Sequence, residues 1–328
     1  MPSSLSIRFE HLFLINFHRF IHDKEAVQIF KTCKTNYYHS YPNYNFKGGY
    51  SVPVFLAFMD IEKPKLGNNS FNPKLVHVLS KYISKSGVFS LAEALEVNKR
   101  VTSINLHDNR IGELYVSLLA KSLETNKSVT TIILSGNQIR TSGAASLAKA
   151  LEVNQSLTNI NLYNNWIGDL GAASLAKALE SNKSVSTINL GYTRLTDSGT
   201  SSLAKALKMN TTITKINLSH NQIGSLGAAS LAKALEVNQS VARIDLYCNT
   251  IEDSGAVSLA QALEVNQSVT RIDLDYNYIG ELGVSSLVKV LEVNKSVTRI
   301  SLWNNQTGTS VLLYCQEGIC YKEKDMIN

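Results

Sequence analysis

Seven histidines and four cysteines are the residues best suited to metal or nucleophilic chemistry here, and their spacing supports little of either. His18 and His22 stand four apart, which places them on one face of a helix. No third ligand follows at a usable spacing, so both are expected to be surface histidines, and no metal is expected. Cys33, Cys248, Cys315 and Cys320 form no CxxC pair and have no partner histidines, the pattern of unpaired thiols in a reducing compartment. His107 beside Asp108, and His220, lack a nearby nucleophile, and no glycine-rich phosphate loop precedes a helix. Neither catalysis nor a cofactor is expected. A second set of residues is spaced for recognition instead. Lys215, Arg243, Arg271 and Arg299 recur every 28 residues, as do Asp245 and Asp273, interleaved with His220, Tyr247, Asp275, Tyr276 and Trp303. Arginine and aromatic side chains dominate interface energies wherever a rigid scaffold presents them.

That scaffold is a repeat. A 28-residue unit is written seven times without insertion between Val101 and Ser296, beginning at Val101, Val129, Leu157, Val185, Ile213, Val241 and Val269. A fixed period between 20 and 50 residues marks a solenoid. Within each copy, positions 1, 4, 6 and 11 are apolar (Val129, Ile132, Leu134 and Ile139 in the second), a pattern that begins at strand period. Ala144, Leu147, Ala148 and Leu151 follow at helical spacing. One strand, one turn and one helix per copy therefore stack into parallel strands on one side and parallel helices on the other. An isolated copy buries too little apolar surface to offset the entropy of ordering its backbone, so neighbours must share a core.

VTTIILSGNQI matches the LxxLxLxxNxL pattern, and the array resembles leucine-rich repeats of the ribonuclease-inhibitor type. The resemblance implies an α/β horseshoe with a parallel concave sheet and convex helices. It implies also that Asn109, Asn137, Asn165, Asn221, Asn249, Asn277 and Asn305, at position 9, form a structural ladder, with Thr193 the exception in the segment Gly191–Leu195. Positions 3, 5, 7 and 8 of each copy then face the concavity. Its N-terminal half is neutral Ser, Thr and Asn, while the part from Lys215 onward is Arg, Asp, Tyr and Trp. Arg243 with Asp245, and Arg271 with Asp273, are close enough in sequence to pair with each other instead. Asn126, Asn154, Asn182, Asn238, Asn266 and Asn294 match the glycosylation sequon, yet each follows a helix, where a left-handed cap residue is wanted and Asn tolerates that conformation. Lys149 with Glu152, and its equivalents, are spaced as an outer salt-bridged stripe.

Three parts are expected: residues 1–72, a small mainly helical N-terminal segment; 73–306, the solenoid with degenerate end copies; and 307–328, a C-terminal cap. In the first, Phe17 to Tyr38 resembles the latter part of an F-box, with Phe20, Ile21, Asp23, Val27, Phe30, Cys33, Lys34 and Tyr37 at matching places but without the Leu-Pro opening. An apolar cap on the first repeat is the alternative. In the last, SVLLYCQEGICYK alternates about a Glu-Gly turn, a hairpin pattern. Net charge is +6 without any block of five like charges, which argues against nucleic acid as partner. The start is a poor signal peptide and no apolar run spans a membrane, so a cytoplasmic protein with no membrane partner is expected, the nucleus remaining open. The function that follows is non-catalytic binding of another protein on the concave face. The F-box resemblance implies an alternative, a substrate receptor of a cullin-type ubiquitin ligase that docks the ligase adaptor. A GTPase activator of the Ran type shares the repeat, but this chain ends YKEKDMIN without the strongly acidic tail.

Overall fold

The computed structural model describes residues 76–79, 83, 85–307, 310–316 and 319–325. The F-box-like stretch, His18, His22 and Cys33 lie outside them. Strands and helices alternate along the array: β1 (Val76–Leu79), α1 (Lys85–Val97), β2 (Val101–Asn105), α2 (Gly112–Thr125), β3 (Thr131–Ile133), α3 (Arg140–Val153), β4 (Asn159–Asn161) and α4 (Gly168–Ser181). They continue through β5 (Thr187–Asn189), α5 (Asp197–Met209), β6 (Lys215–Asn217), α6 (Ser225–Leu235), β7 (Arg243–Asp245), α7 (Asp253–Val265), β8 (Arg271–Asp273), α8 (Glu281–Val293) and β9 (Arg299–Ser301). Neighbouring strands from β1 to β9 pair in parallel, in sequence order. The hairpin expected near the C-terminus is present as β10 (Ser310–Gln316) and β11 (Ile319–Asp325), with Cys315 and Cys320 as register partners. Its first strand pairs antiparallel with β9, which covers the last parallel edge of the array. No helix among the described residues is long and apolar enough to cross a membrane.

The core is the one the periodicities require. Val129, Ile132, Leu134 and Ile139 are buried between the layers with Ala144, Leu147, Ala148 and Leu151 of α3, and the other full copies repeat the pattern, with Thr200 in place of the first helix alanine and Val288 only half-buried. Strands sit ~4.8 Å apart and packed helices 8–10 Å or so, so the stack must bend with its sheet on the inner side.

Two ladders of asparagine, not one, tie the copies together. At position 9, the Nδ2 of Asn137 donates to the carbonyls of Leu106 (2.8 Å) and Leu134 (2.9 Å). Its Oδ1 accepts the N–H groups of Asn109 and Ile111 in the preceding copy. Position 26 carries the second ladder. Asn154 donates to the carbonyls of Leu123 (2.7 Å) and Asn126 (2.9 Å), and accepts the N–H groups of Ser156 and Leu157 (both 2.9 Å). Asn182, Asn210, Asn238, Asn266 and Asn294 make the equivalent pairs. The expectation of a left-handed cap is therefore corrected. Asn126, Asn154, Asn182, Asn210, Asn266 and Asn294 are extended, with ψ near 120–129°, because only that conformation turns the carboxamide back onto the previous helix end. All are buried, and the sequons they form are part of the framework. The outer Lys149–Glu152 stripe also differs from expectation, since the described residues form no ion pair there within 4.0 Å. Exposed long side chains gain little by being fixed in one geometry.

The turn from strand to helix changes character midway. In the copies that begin at Val101, Val129 and Leu157, positions 10 and 12 are both left-handed (Arg110 and Gly112; Gln138 and Arg140; Trp166 and Gly168). From Thr196 onward, position 12 is an extended helix cap instead (Thr196, Gly224, Glu252, Gly280). Acidic residues stabilise several of these new starts: the Asp197 carboxylate accepts the N–H groups of Gly224 and Gly227, and Asp253 accepts those of Gly280 and Gly283. A carboxylate so placed satisfies helix-start donors and complements the helix dipole.

Candidate recognition surface

Parallel register converts 28-residue spacing into rows. Position 3 aligns Lys215, Arg243, Arg271 and Arg299 as direct partners on β6 to β9, and all four are exposed. Arg243 does not pair with Asp245, nor Arg271 with Asp273. Among the described residues none of the four cations makes an ion pair within 4.0 Å. The reason lies in position 5, whose side chains are turned to a backbone task. Asp245 Oδ1 accepts the Tyr247 N–H (3.0 Å) and Asp273 Oδ1 accepts the Asp275 N–H (3.1 Å). Asn105, Asn161, Asn189 and Asn217 do the same for their own copies. This bond closes a local turn at the strand end, so the two aspartates serve the frame as well as the surface.

Burial raises both carboxyls. Asp273 is pushed up to about 6 by burial, against the pull of the Asp275 N–H; the charges of Asp275 and Asp245 add to the rise and Arg299 offsets it. Asp245 is raised by burial too, with the Tyr247 N–H and His220 pulling the other way, while Asn217 Nδ2 donates to its Oδ2 at 2.8 Å. Asp275 spends one oxygen on the Trp303 N–H (2.7 Å).

Positions 7 and 8 form an aromatic column. Ring centroids follow one another from Tyr163 to Tyr192 (6.1 Å), His220 (5.8 Å), Tyr247 (4.8 Å) and Tyr276 (5.1 Å), edge-on or tilted. These are the favoured arrangements for aromatic pairs. Gly191 leaves the room for this. A Cβ there would stand 2.8 Å from the Tyr163 ring and 2.9 Å from Ser219 Oγ. In the same segment Thr193 replaces the ladder asparagine and stays buried, its hydroxyl donating to the Leu190 carbonyl at 2.5 Å. The unusual Gly191–Leu195 segment thus seats the Tyr163 and Tyr192 rings. Tyr163 and Tyr192 extend the surface beyond Lys215, while the Trp303 ring, 37 % exposed, stands outside the column.

Position 8 is not a strand position. It is left-handed in every copy, and outside the site it is filled by residues that tolerate this: Asp108, Gly136, Asn164 and Asn304. Four consecutive copies instead place Tyr192, His220, Cys248 and Tyr276 there, at φ 53–56°. A left-handed residue with an ordinary side chain costs about 1–2 kcal/mol. Left-handed backbone with ordinary side chains is not confined to this row, since Arg110, Gln138, Arg140, Trp166 and Arg194 share it, but here four successive copies carry it at one exposed or half-buried position that the other copies fill with Asp, Gly or Asn. The signal was present in the chain as a column of Asp, Gly and Asn interrupted by Tyr, His, Cys and Tyr. Reading it required knowing that this column is left-handed. Among the described residues no group of three His, Cys, Asp or Glu side chains could hold a metal ion.

A family model described as Leucine Rich repeat matches residues 125–148, 153–176, 210–232 and 237–260. No curated protein sequence matches the chain. Among solved structures, the chain is similar to leiomodin-1 actin-binding site 2, with 23% identity, a TM-score of 0.41, and coverage of 47% of this chain and 88% of that one. It is similar also to the tropomodulin C-terminal domain of Caenorhabditis elegans, with 18% identity, a TM-score of 0.41, and coverage of 46% and 92% respectively. The four matched segments fall within the array of strands and helices, and the fold is a leucine-rich-repeat solenoid.

Proposed function

We propose that the chain is a non-catalytic scaffold that binds a partner protein on its concave sheet, over Lys215 to Trp303. The observation that carries this is the left-handed column. Tyr192, His220, Cys248 and Tyr276 occupy left-handed positions that the other copies fill with Asp, Gly or Asn. The unpaired cation row beside them adds residue types that supply interface energy. The 28-residue copies, each with a full helix, favour the ribonuclease-inhibitor type of repeat. Residues 73–306 act as the binding unit, with 307–328 closing its end. The test is affinity capture with the full chain and a Tyr247→Ala/Tyr276→Ala/Trp303→Ala variant. The variant should lose bound partners by ten-fold or more while unfolding close to the parent temperature. Unchanged capture by a folded variant refutes the assignment.

A further inference from the structure

We infer that the partner offers this face an extended acidic segment, with carboxylates at alternate residues set along the row Lys215–Arg243–Arg271–Arg299. The inference rests on the concave-face reading and adds the chemistry of the occupant. Three strand-to-strand steps of ~4.8 Å make the row ~14 Å long. An extended chain presents same-side residues every ~7 Å, so three alternate carboxylates span it. All four cations are exposed and none has an anionic partner within 4.0 Å among the described residues. Four like charges held in register on one rigid sheet repel one another, and an anionic segment is what relieves them. The neighbouring carboxylates play only a small part: Asp245 and Asp273 are half-buried and bonded to N–H groups of their own copies, and Asp273 feels Arg299 without an ion pair.

The same surface disfavours a single-stranded nucleic acid. Such a strand needs cations for its phosphates and free aromatic faces for its bases. Here the rings from Tyr163 to Tyr276 contact each other edge-on or tilted, and Asp245 and Asp273, at position 5, lie between the position-3 cations and those rings, where the bases would cross. A protein segment can set carboxylates on the outer row and hydrogen-bond donors on the aspartate row.

The experiment uses the full chain and a fluorescein-labelled octapeptide with glutamate at alternate positions, read by fluorescence anisotropy. Its glutamine analogue and a single-stranded RNA serve as the other probes. The glutamate peptide should bind, weaken as salt is raised, and lose affinity about ten-fold or more in Arg243→Gln/Arg271→Gln/Arg299→Gln. Lys149→Gln/Lys177→Gln/Lys205→Gln removes the same charge from exposed helix positions and should leave binding unchanged. Equal losses in the two triples would reduce the effect to net charge and overturn the inference. Tighter binding of the RNA, or no preference for glutamate over glutamine, would overturn it as well. If captured partners are lost with the Tyr247, Tyr276 and Trp303 substitutions yet survive the arginine triple, the concave-face reading stands and the acidic segment falls.

Discussion

The two halves of the sheet rest on one frame and present different surfaces. From β2 to β5, position 3 is Ser103, Thr131, Asn159 and Thr187, and position 8 is Asp108, Gly136, Asn164 and then Tyr192. From β6 to β9, position 3 is Lys215, Arg243, Arg271 and Arg299, and position 8 holds His220, Cys248 and Tyr276 before returning to Asn304. Both asparagine ladders run beneath the two halves, the position-9 ladder broken once, at Thr193. The lesson is that inner bonding shared between copies frees the outward positions to diverge. At position 8 the first three copies take Asp, Gly and Asn, which a left-handed backbone favours, and the next four keep Tyr, His, Cys and Tyr.

The strongest test asks whether the frame is in fact common to both halves. Asn182→Ala and Asn266→Ala each strand two carbonyls and two N–H groups in buried surroundings, and each should cost about 3–5 kcal/mol in urea unfolding. Costs differing by more than ~1 kcal/mol would show that the frame itself is unequal. A smaller effect should follow from Asp273→Asn. Folding raises this carboxyl from 3.8 to about 6, so its protonated form is the one the fold prefers. Its contribution is complete below about pH 4 and is lost as pH rises through 6. The variant keeps the Oδ1 bond to the Asp275 N–H but cannot ionise. It should exceed the parent by about 1 kcal/mol at pH 8, allowing for solvent screening, and match it near pH 4. A pH-independent difference between the two melting curves would contradict this. The smallest expected effect is reciprocal. Cys248→Asn should gain ~0.5–1 kcal/mol and Asn164→Cys should lose a similar amount, since both positions are left-handed. Equal signs in calorimetry would mean that position 8 is not strained in the second half.

Much of this was legible in the chain because repetition multiplies weak signals. Val129, Ile132, Leu134 and Ile139 are ambiguous alone, yet seven copies in phase leave one architecture. The rows of the surface were legible for the same reason, because a fixed period becomes a fixed register. Position 26 is ambiguous in the chain, since Asn after a helix suits both a left-handed cap and a buried extended one. The choice depends on whether the previous copy offers carbonyls within reach, here those of Leu123 and Asn126 for Asn154. Arg243 and Asp245 looked like partners because they stand two apart on one face, and a backbone N–H claimed the carboxylate instead.

Sequence alone thus determined the period, the alternation of strand and helix, the buried apolar set and the alignment of Lys215 with Arg243, Arg271 and Arg299. Each depends only on local periodicity and a constant copy length. Tertiary structure decided which polar residues are frame and which are surface. That division depends on what the adjacent copy presents 26 to 31 residues away, as the bonds from Ile111 to Asn137 and from Asn137 to Leu106 illustrate. It also decided where the backbone is left-handed, because the paired strand and turn of the next copy fix φ at Tyr192, His220, Cys248 and Tyr276 against the preference of those residues.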